Sequence, residues 1–296
     1  MSGPELGVLE RIPLKSLWSG EATDFTPWLA QNLDKLGNQI GMELELDGIE
    51  VSAGDFSADI VANEIATNKR VIIENQFGST DHRHLGQIIT YASMLNASVI
   101  IWIAEKLRPE HKSAIDFLNS NFKDGLLFYA LEASVVRIEN SKPAFLLDLV
   151  SEPVRQSLGD GAISPAISET REKYKQYFQY LIDELREKHK FTNARAAQPQ
   201  NWYSFSSQNS RLFKYGTSFS QGGKVRAEVY LDCDNKEQNE AIFDCLFAKK
   251  SQIELKFGAP LNWERLEKKR ACRIAIYRDG DIESDTDTLV EIRKWR

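Results

Sequence analysis

The sequence predicts an α/β fold in its first half, a mixed sheet sandwiched by helices, followed by a smaller α+β domain. Three observations carry that reading. Val- and Ile-rich runs at 43–52, 58–63 and 70–77 follow one another closely, broken by Gly54-Asp55 and Thr67-Asn68-Lys69, as a strand meander requires. The apolar run Val99-Ile100-Ile101-Trp102-Ile103 lies between two segments of helical period, and a strand without a polar face needs cover on both sides. Over 151–168 the patterning lapses into Pro153, Gly159-Asp160-Gly161 and Pro165 with no sustained period. A chain of 296 residues exceeds the usual size of one domain. The expected division is 1–152, a linker over 153–168, and 169–296.

Thr26-Pro27 reads as a helix start, a hydroxyl cap followed by proline, and Leu29, Leu33, Leu36 and Ile40 then recur at helical spacing. The three strands follow. Helical period returns at Leu85, Ile88, Ile89 and Ala92, before the apolar strand, a helix opened by Pro109, and two strands around 126–130 and 135–138. The second unit opens with a charged, tyrosine-rich helix near 169–189, whose Tyr174, Tyr177, Phe178 and Leu181 form a core stripe. Strands near 202–205, 212–220 and 225–231, one long helix over about 236–257, a strand at 273–277 and a short terminal helix complete it.

Composition excludes several classes. Hydrophobic residues make up 42% of the chain and charged residues 27%, with no apolar run long enough to span a bilayer. The start Met1-Ser2-Gly3-Pro4-Glu5 lacks the basic and apolar regions of a secretory signal. Cys233, Cys245 and Cys272 are far apart, which argues against a disulfide framework or a zinc knuckle. A cytoplasmic location is expected.

The net charge of -6 excludes a chain coated in nucleic-acid-binding charge, so any phosphate contact must be regional. Such a region runs from 186 to 226, where Arg186, Lys188, Lys190, Arg195, Arg211, Lys214, Lys224 and Arg226 face the single acid Glu187. Phe191, Trp202, Tyr203, Phe205, Phe213, Tyr215 and Phe219 are interleaved with them, as on a surface that tracks a backbone and stacks bases. The competing reading is a sheet with core aromatics and a solvated basic face.

The chemistry concentrates earlier in the chain. Residues two apart on a strand share a face, so Glu74 and Gln76 project together while Val71 and Ile73 point the other way. A carboxylate ending so apolar a strand is costly to bury unless paired or bound to metal. Asp59, in Ala58-Asp59-Ile60-Val61-Ala62, is a second acid that a hairpin brings alongside. Two hard oxygen donors on adjacent strands suit Mg²⁺ or Mn²⁺. On the next helix His84, Gln87 and Tyr91 fall on one face, with Asp81 and His82 just before them.

Asp59, a hairpin and then Glu74-x-Gln76 resembles the Asp...(Asp/Glu)-x-Lys signature of the PD-(D/E)XK, or restriction-endonuclease-like, nucleases. That superfamily's core has the same order of helix, three strands, helix and strand. The segment from Ile73 through Thr80-Asp81-His82-Arg83-His84-Leu85-Gly86-Gln87 to Tyr91 is also similar to a prokaryotic branch that joins this module to a C-terminal domain of unknown function. The resemblance implies that Asp59 and Glu74 hold the metal, helped by the Asn75 carbonyl, and that Gln87 and Tyr91 support the active site and the scissile phosphate, with Asp81 and His82 adding to that support. His84 joins the candidates for nucleic-acid contact. Relatives often carry a further carboxylate on the first helix; Glu21, Gln31 and Asp34 are the candidates here. The sequence departs from the pattern at Gln76, since an amide can orient a water but cannot accept its proton or supply full positive charge.

The expectation is a metal-dependent nuclease acting on DNA first and RNA second, in antiviral defence or repair, with no membrane partner and a homodimer left open. Two alternatives stand beside it. In one, the fold is kept without the chemistry, as a nucleic-acid-binding or partner-binding module. In the other, the second domain is a sensor or docking unit governing the first.

Overall fold

A computed structural model of the chain describes residues 6–54, 56–65, 67–122, 126–153, 165–207, 209, 211–220 and 222–295. It is a mixed α/β structure of two compact units. The first comprises Met1–Ile40, Leu44–Glu64 and Lys69–Ser164, and the second Gly41–Glu43, Ile65–Asn68 and Pro165–Arg296. Of the expected linker, residues 154–164 lie outside the described ones, and a helix is already under way at Pro165. No helix among the described residues is long and apolar enough to cross a membrane.

The first unit runs β1 (Leu9–Ile12), a one-turn helix (Leu14–Ser16), a π-helical turn (Glu21–Phe25), α1 (Thr26–Gln31), α2 (Leu33–Ile40), β2 (Leu44–Ala53), β3 (Phe56–Glu64), β4 (Arg70–Ser79), α3 (His82–Met94), β5 (Val99–Lys106), α4 (Pro109–Asn121), β6 (Leu127–Ile138) and β7 (Ala144–Ser151). The strands form one sheet in the order β1-β6-β5-β4-β3-β2, with β7 paired to β6. β2, β3 and β4 are antiparallel neighbours, whereas β4, β5 and β6 run parallel. The two segments expected as separate strands before 139 are one continuous β6, and β1 and β7 are additional to the expected strands.

The sheet is covered on both faces. Ile72, Ile100, Trp102 and Phe128 pack with Ile88 and Tyr91 of α3 and Ile115 of α4. On the other face Phe25 and Trp28 meet Phe77 and Phe145 in an aromatic cluster with Trp18. Ile72, Ile73, Ile100, Ile101 and Ile103 are completely buried, each contributing about 1.5–3 kcal/mol relative to exposure. The first helix is broken at Asn32, whose side-chain amide donates to the Trp28 carbonyl and competes with the helical ladder. Thr26 is not a cap: it already has helical dihedrals, and its hydroxyl reaches across to Asn75 of β4.

The second unit holds α5 (Pro165–Glu187), β8 (Trp202–Ser206), β9 (Phe213–Ser220), β10 (Lys224–Leu231), α6 (Lys236–Phe247), α7 (Lys250–Phe257), β11 (Asn262–Glu264), β12 (Cys272–Asp279) and α8 (Thr286–Trp295). Its antiparallel sheet has the order β11-β12-β10-β9-β8. Tyr177, Phe178, Leu181 and Ile182 of α5 pack on Phe205, Phe219 and Val225, with Ile292 of α8. The single long helix expected over 236–257 is two helices, divided at Ala248 and Lys249, and the second ends on Gly258 in the left-handed conformation that favours glycine.

Candidate active site

The β3–β4 ladder closes with the pair Ile60–Ile73. The next residues on each strand, Asp59 and Glu74, therefore face each other just beyond it. Here β4 exchanges its strand partner for a side chain: the Asn75 backbone N–H donates to Asp59 Oδ2 at 2.8 Å, and Asn75 Nδ2 donates to the same oxygen at 2.8 Å. Asn75 is wholly buried and also hydrogen-bonds Thr26 Oγ1 at 3.1 Å. Its side chain thus joins the first helix, the motif strand and Asp59.

Glu74 is 4% exposed, and its Oε2 is buried without a hydrogen-bond partner. Desolvation pushes its carboxyl up to about 9, reinforced first by the neighbouring Asp59 charge and then by Glu21 and Glu50, while the Asp59 backbone N–H pulls the other way. Asp59 is raised to about 7, again chiefly by desolvation, with Glu50 and Glu21 adding to it against the Asn75 N–H. The charges that act on the pair are other carboxylates.

Two acids complete the group. Glu21, among the candidates for a first-helix carboxylate, accepts the Phe77 N–H through Oε2 at 2.5 Å and so is fastened to β4. Glu50, the other acid, is not among the residues that the sequence pattern points to. The β2–β3 register shifts between Leu46 and Gly48, then continues Ile49–Ile60 and Val51–Ala58, which sets Glu50 directly opposite Asp59. Without the shift it would face Ala58. Glu50 is exposed and held at φ 52, a conformation few non-glycine residues adopt. Gly48 is the one sequence signal of this bulge.

Gln76 does not occupy the role expected of it. It is 4% exposed, its Oε1 accepts the Trp102 indole N–H at 2.9 Å, and its Nε2 donates to the Ser79 carbonyl at 2.9 Å with Asp81 Oδ2 at 3.4 Å. Both ends of the amide are committed to protein, so Gln76 is a strut rather than a group turned to a water.

On α3 the Gln87 Nε2 donates to the Tyr91 hydroxyl at 3.1 Å, leaving Gln87 Oε1 buried without a partner. Tyr91 is 1% exposed, and its phenol is raised by desolvation and then by the Glu74 charge, which keeps it a neutral donor beside the acids. His84 is tied to the start of its own helix. Its N–H and Nδ1 both bond the Asp81 carboxylate, at 3.0 and 2.8 Å, with Asp81 as the N-cap.

The donor set fits a hard divalent cation: the partnerless Glu74 Oε2, the Asp59 carboxylate, and like charges around them that a cation would offset. Among the described residues no three His, Cys, Asp or Glu side chains form a ready-made ligand cluster. Mg²⁺ does not require one, because it keeps several waters and takes substrate phosphates alongside one or two carboxylates.

In the second unit the basic candidates divide. Arg195, Arg211 and Lys214 are exposed. Lys224 is exposed but paired across the sheet with Asp279 at 2.5 Å. Arg226 must be withdrawn as a phosphate contact: it is 3% exposed, with Nε 3.0 Å from Glu228 Oε2. Arg273 grips the same oxygen at 2.5 Å and Glu264 at 3.1 Å, closing a buried ionic network. Of the aromatics, Phe205 and Phe219 are core, while Phe191 and Tyr215 lie exposed with ring centroids 5.4 Å apart.

Comparison with known proteins gives one match. Residues 173–295 are similar to the family described as "Domain of unknown function (DUF4268)". This segment lies within the second unit, from the middle of α5 to the end of α8. No curated protein and no solved structure matches the chain.

Proposed function

We propose that the first unit is a restriction-endonuclease-like module of the PD-(D/E)XK class that hydrolyses phosphodiester bonds in DNA with the help of Mg²⁺ or Mn²⁺. The observation that carries the reading is the buried Glu74 carboxyl, with a partnerless oxygen, facing Asp59 at the end of a ladder where Glu21 and Glu50 also converge. Carboxylates buried and crowded in this way either keep a proton or take a positive charge from outside the fold, and a bound cation supplies that charge. Asp59 and Glu74 would hold the cation, and when bound it would polarise the phosphate and lower the pKa of a water. Asn75 and Thr26 fix Asp59, Gln76 and Trp102 brace the strand beyond Glu74, and Tyr91 presents a neutral hydroxyl on the same side.

The test is incubation of the purified protein with DNA in Mg²⁺ or Mn²⁺. Cleavage is expected, reduced about 100-fold or more by Glu74→Ala or Asp59→Ala. Absence of cleavage of any DNA form, or cleavage untouched by Glu74→Ala, would overturn the proposal.

The engagement of Gln76 favours a second reading, in which the module binds nucleic acid or a protein partner without turnover. The two separate on metal titration by calorimetry. A hydrolytic site binds Mg²⁺ through Asp59 and Glu74, whereas a vestigial one leaves DNA affinity independent of the metal.

A further inference from the structure

Three of the chain's 4 histidines, His82, His84 and His111, gather where β4 hands over to α3. His111, on α4, is 1% exposed, with Nδ1 2.7 Å from Thr80 Oγ1 and Nε2 2.9 Å from His82 Nδ1. Thr80 is also 1% exposed, and its Oγ1 accepts the Arg108 N–H at 3.0 Å. A buried hydroxyl needs an acceptor for its one hydrogen, and the contact that offers a lone pair is His111 Nδ1. His111 then carries its hydrogen on Nε2 and donates it to His82 Nδ1. His82 in turn is fixed with its hydrogen on Nε2, the ring nitrogen outside the relay.

This arrangement needs a neutral His111. Burial lowers its pKa from the usual histidine value, the neighbouring His82 and Arg108 lower it further, and Glu110 and Asp81 oppose them. The relay is contiguous with the acidic group, because Trp102 lies 5.5 Å from the His111 ring and hydrogen-bonds Gln76, two residues beyond Glu74. It stands beyond the carboxyl ends of parallel β4 and β5, where open α/β sheets bind their ligands. His82 itself is exposed, as is the adjoining Arg83, which makes no ion pair among the described residues.

We infer that His82 contacts the substrate, with its Nε2–H held as a hydrogen-bond donor to a phosphate oxygen of the nucleic acid. For its ligand this rests on the phosphodiesterase reading; for the tautomer it rests on the Thr80–His111–His82 relay alone. It gives His82 a direct contact of its own, rather than an added support, and ranks it ahead of His84, whose Nδ1 is spent on Asp81.

The experiment has two parts. Nitrogen-15 NMR of the histidine rings at neutral pH should show His82 protonated on Nε2, with that signature lost in His111→Phe. A short fluorescein-labelled DNA duplex, titrated in Ca²⁺, should bind about tenfold more weakly to His82→Ala and to His111→Phe, and His82→Gln, which restores an N–H donor, should recover most of the loss. A His82 protonated on Nδ1, or a His82→Ala variant that binds as wild type, would overturn the inference, as would a wild type that does not bind DNA. If the wild type binds and His82→Ala does not, yet Mg²⁺ brings no cleavage, the hydrolytic reading falls and the His82 assignment stands.

Discussion

Glu74 holds its proton at neutral pH in the metal-free protein, because burial and the facing acids push its carboxyl up to about 9. The unfolded chain releases that proton near the ordinary value of 4.5. Folded protein therefore binds more protons than unfolded protein across this window, and the stability present below it is lost as pH rises through it. Glu74→Gln removes the titration while keeping the shape. The variant is expected to melt at the same temperature as wild type below about pH 4.5, and increasingly above wild type as pH rises through the window. Parallel melting curves at every pH would contradict the assignment. Asp59 and Glu74 were legible in the sequence because each is an acid in an otherwise apolar strand. Glu50 was not, since a bulge at Gly48 decides which residue it faces, and His111 was not, since a lone histidine on a helix carries no pattern.

At the scale of elements, the site is held by bonds that cross between them. Trp102 on β5 supplies the donor to Gln76 on β4, and Thr26 of α1 reaches Asn75. Trp102→Phe leaves the buried Gln76 oxygen without its donor and is expected to cost about 1–3 kcal/mol in urea unfolding. Unchanged stability would show that Gln76 is not a strut. The first helix and the three-strand meander were readable from period and turn residues, because burial of one face sets that period. The break at Asn32, the continuity of β6 and the division of α6 from α7 were not, since each depends on a local hydrogen bond or on tertiary cover that a hydropathy pattern does not encode. The basic run before 226 shows the same limit from the other side. Its charge was visible, but which residues turn inward was settled by the ladder, and Arg226 went to Glu228. Arg226→Ala should cost about 3–5 kcal/mol, because it takes the hydrogen-bonded guanidinium away from Glu43 and leaves Glu228 with Arg273 alone, while Lys214→Ala should change stability by less than about 0.5 kcal/mol.

The whole molecule comprises a sheet covered by helices on both faces, which carries the acidic site, and a second unit similar along most of its length to the DUF4268 family. Metal and proton compete for the same carboxylates, so Mg²⁺ should raise the melting temperature more at alkaline than at mildly acidic pH. An equal rise at both would place the ion elsewhere. The central claim is that Asp59 and Glu74 together bind a divalent cation, and the most direct measurement is a Mn²⁺ titration followed by electron paramagnetic resonance. One saturable site is expected, displaced by Mg²⁺ and lost in both Asp59→Asn and Glu74→Gln while the fold is retained. Saturable binding that persists in both variants, or none in the wild type, would contradict it.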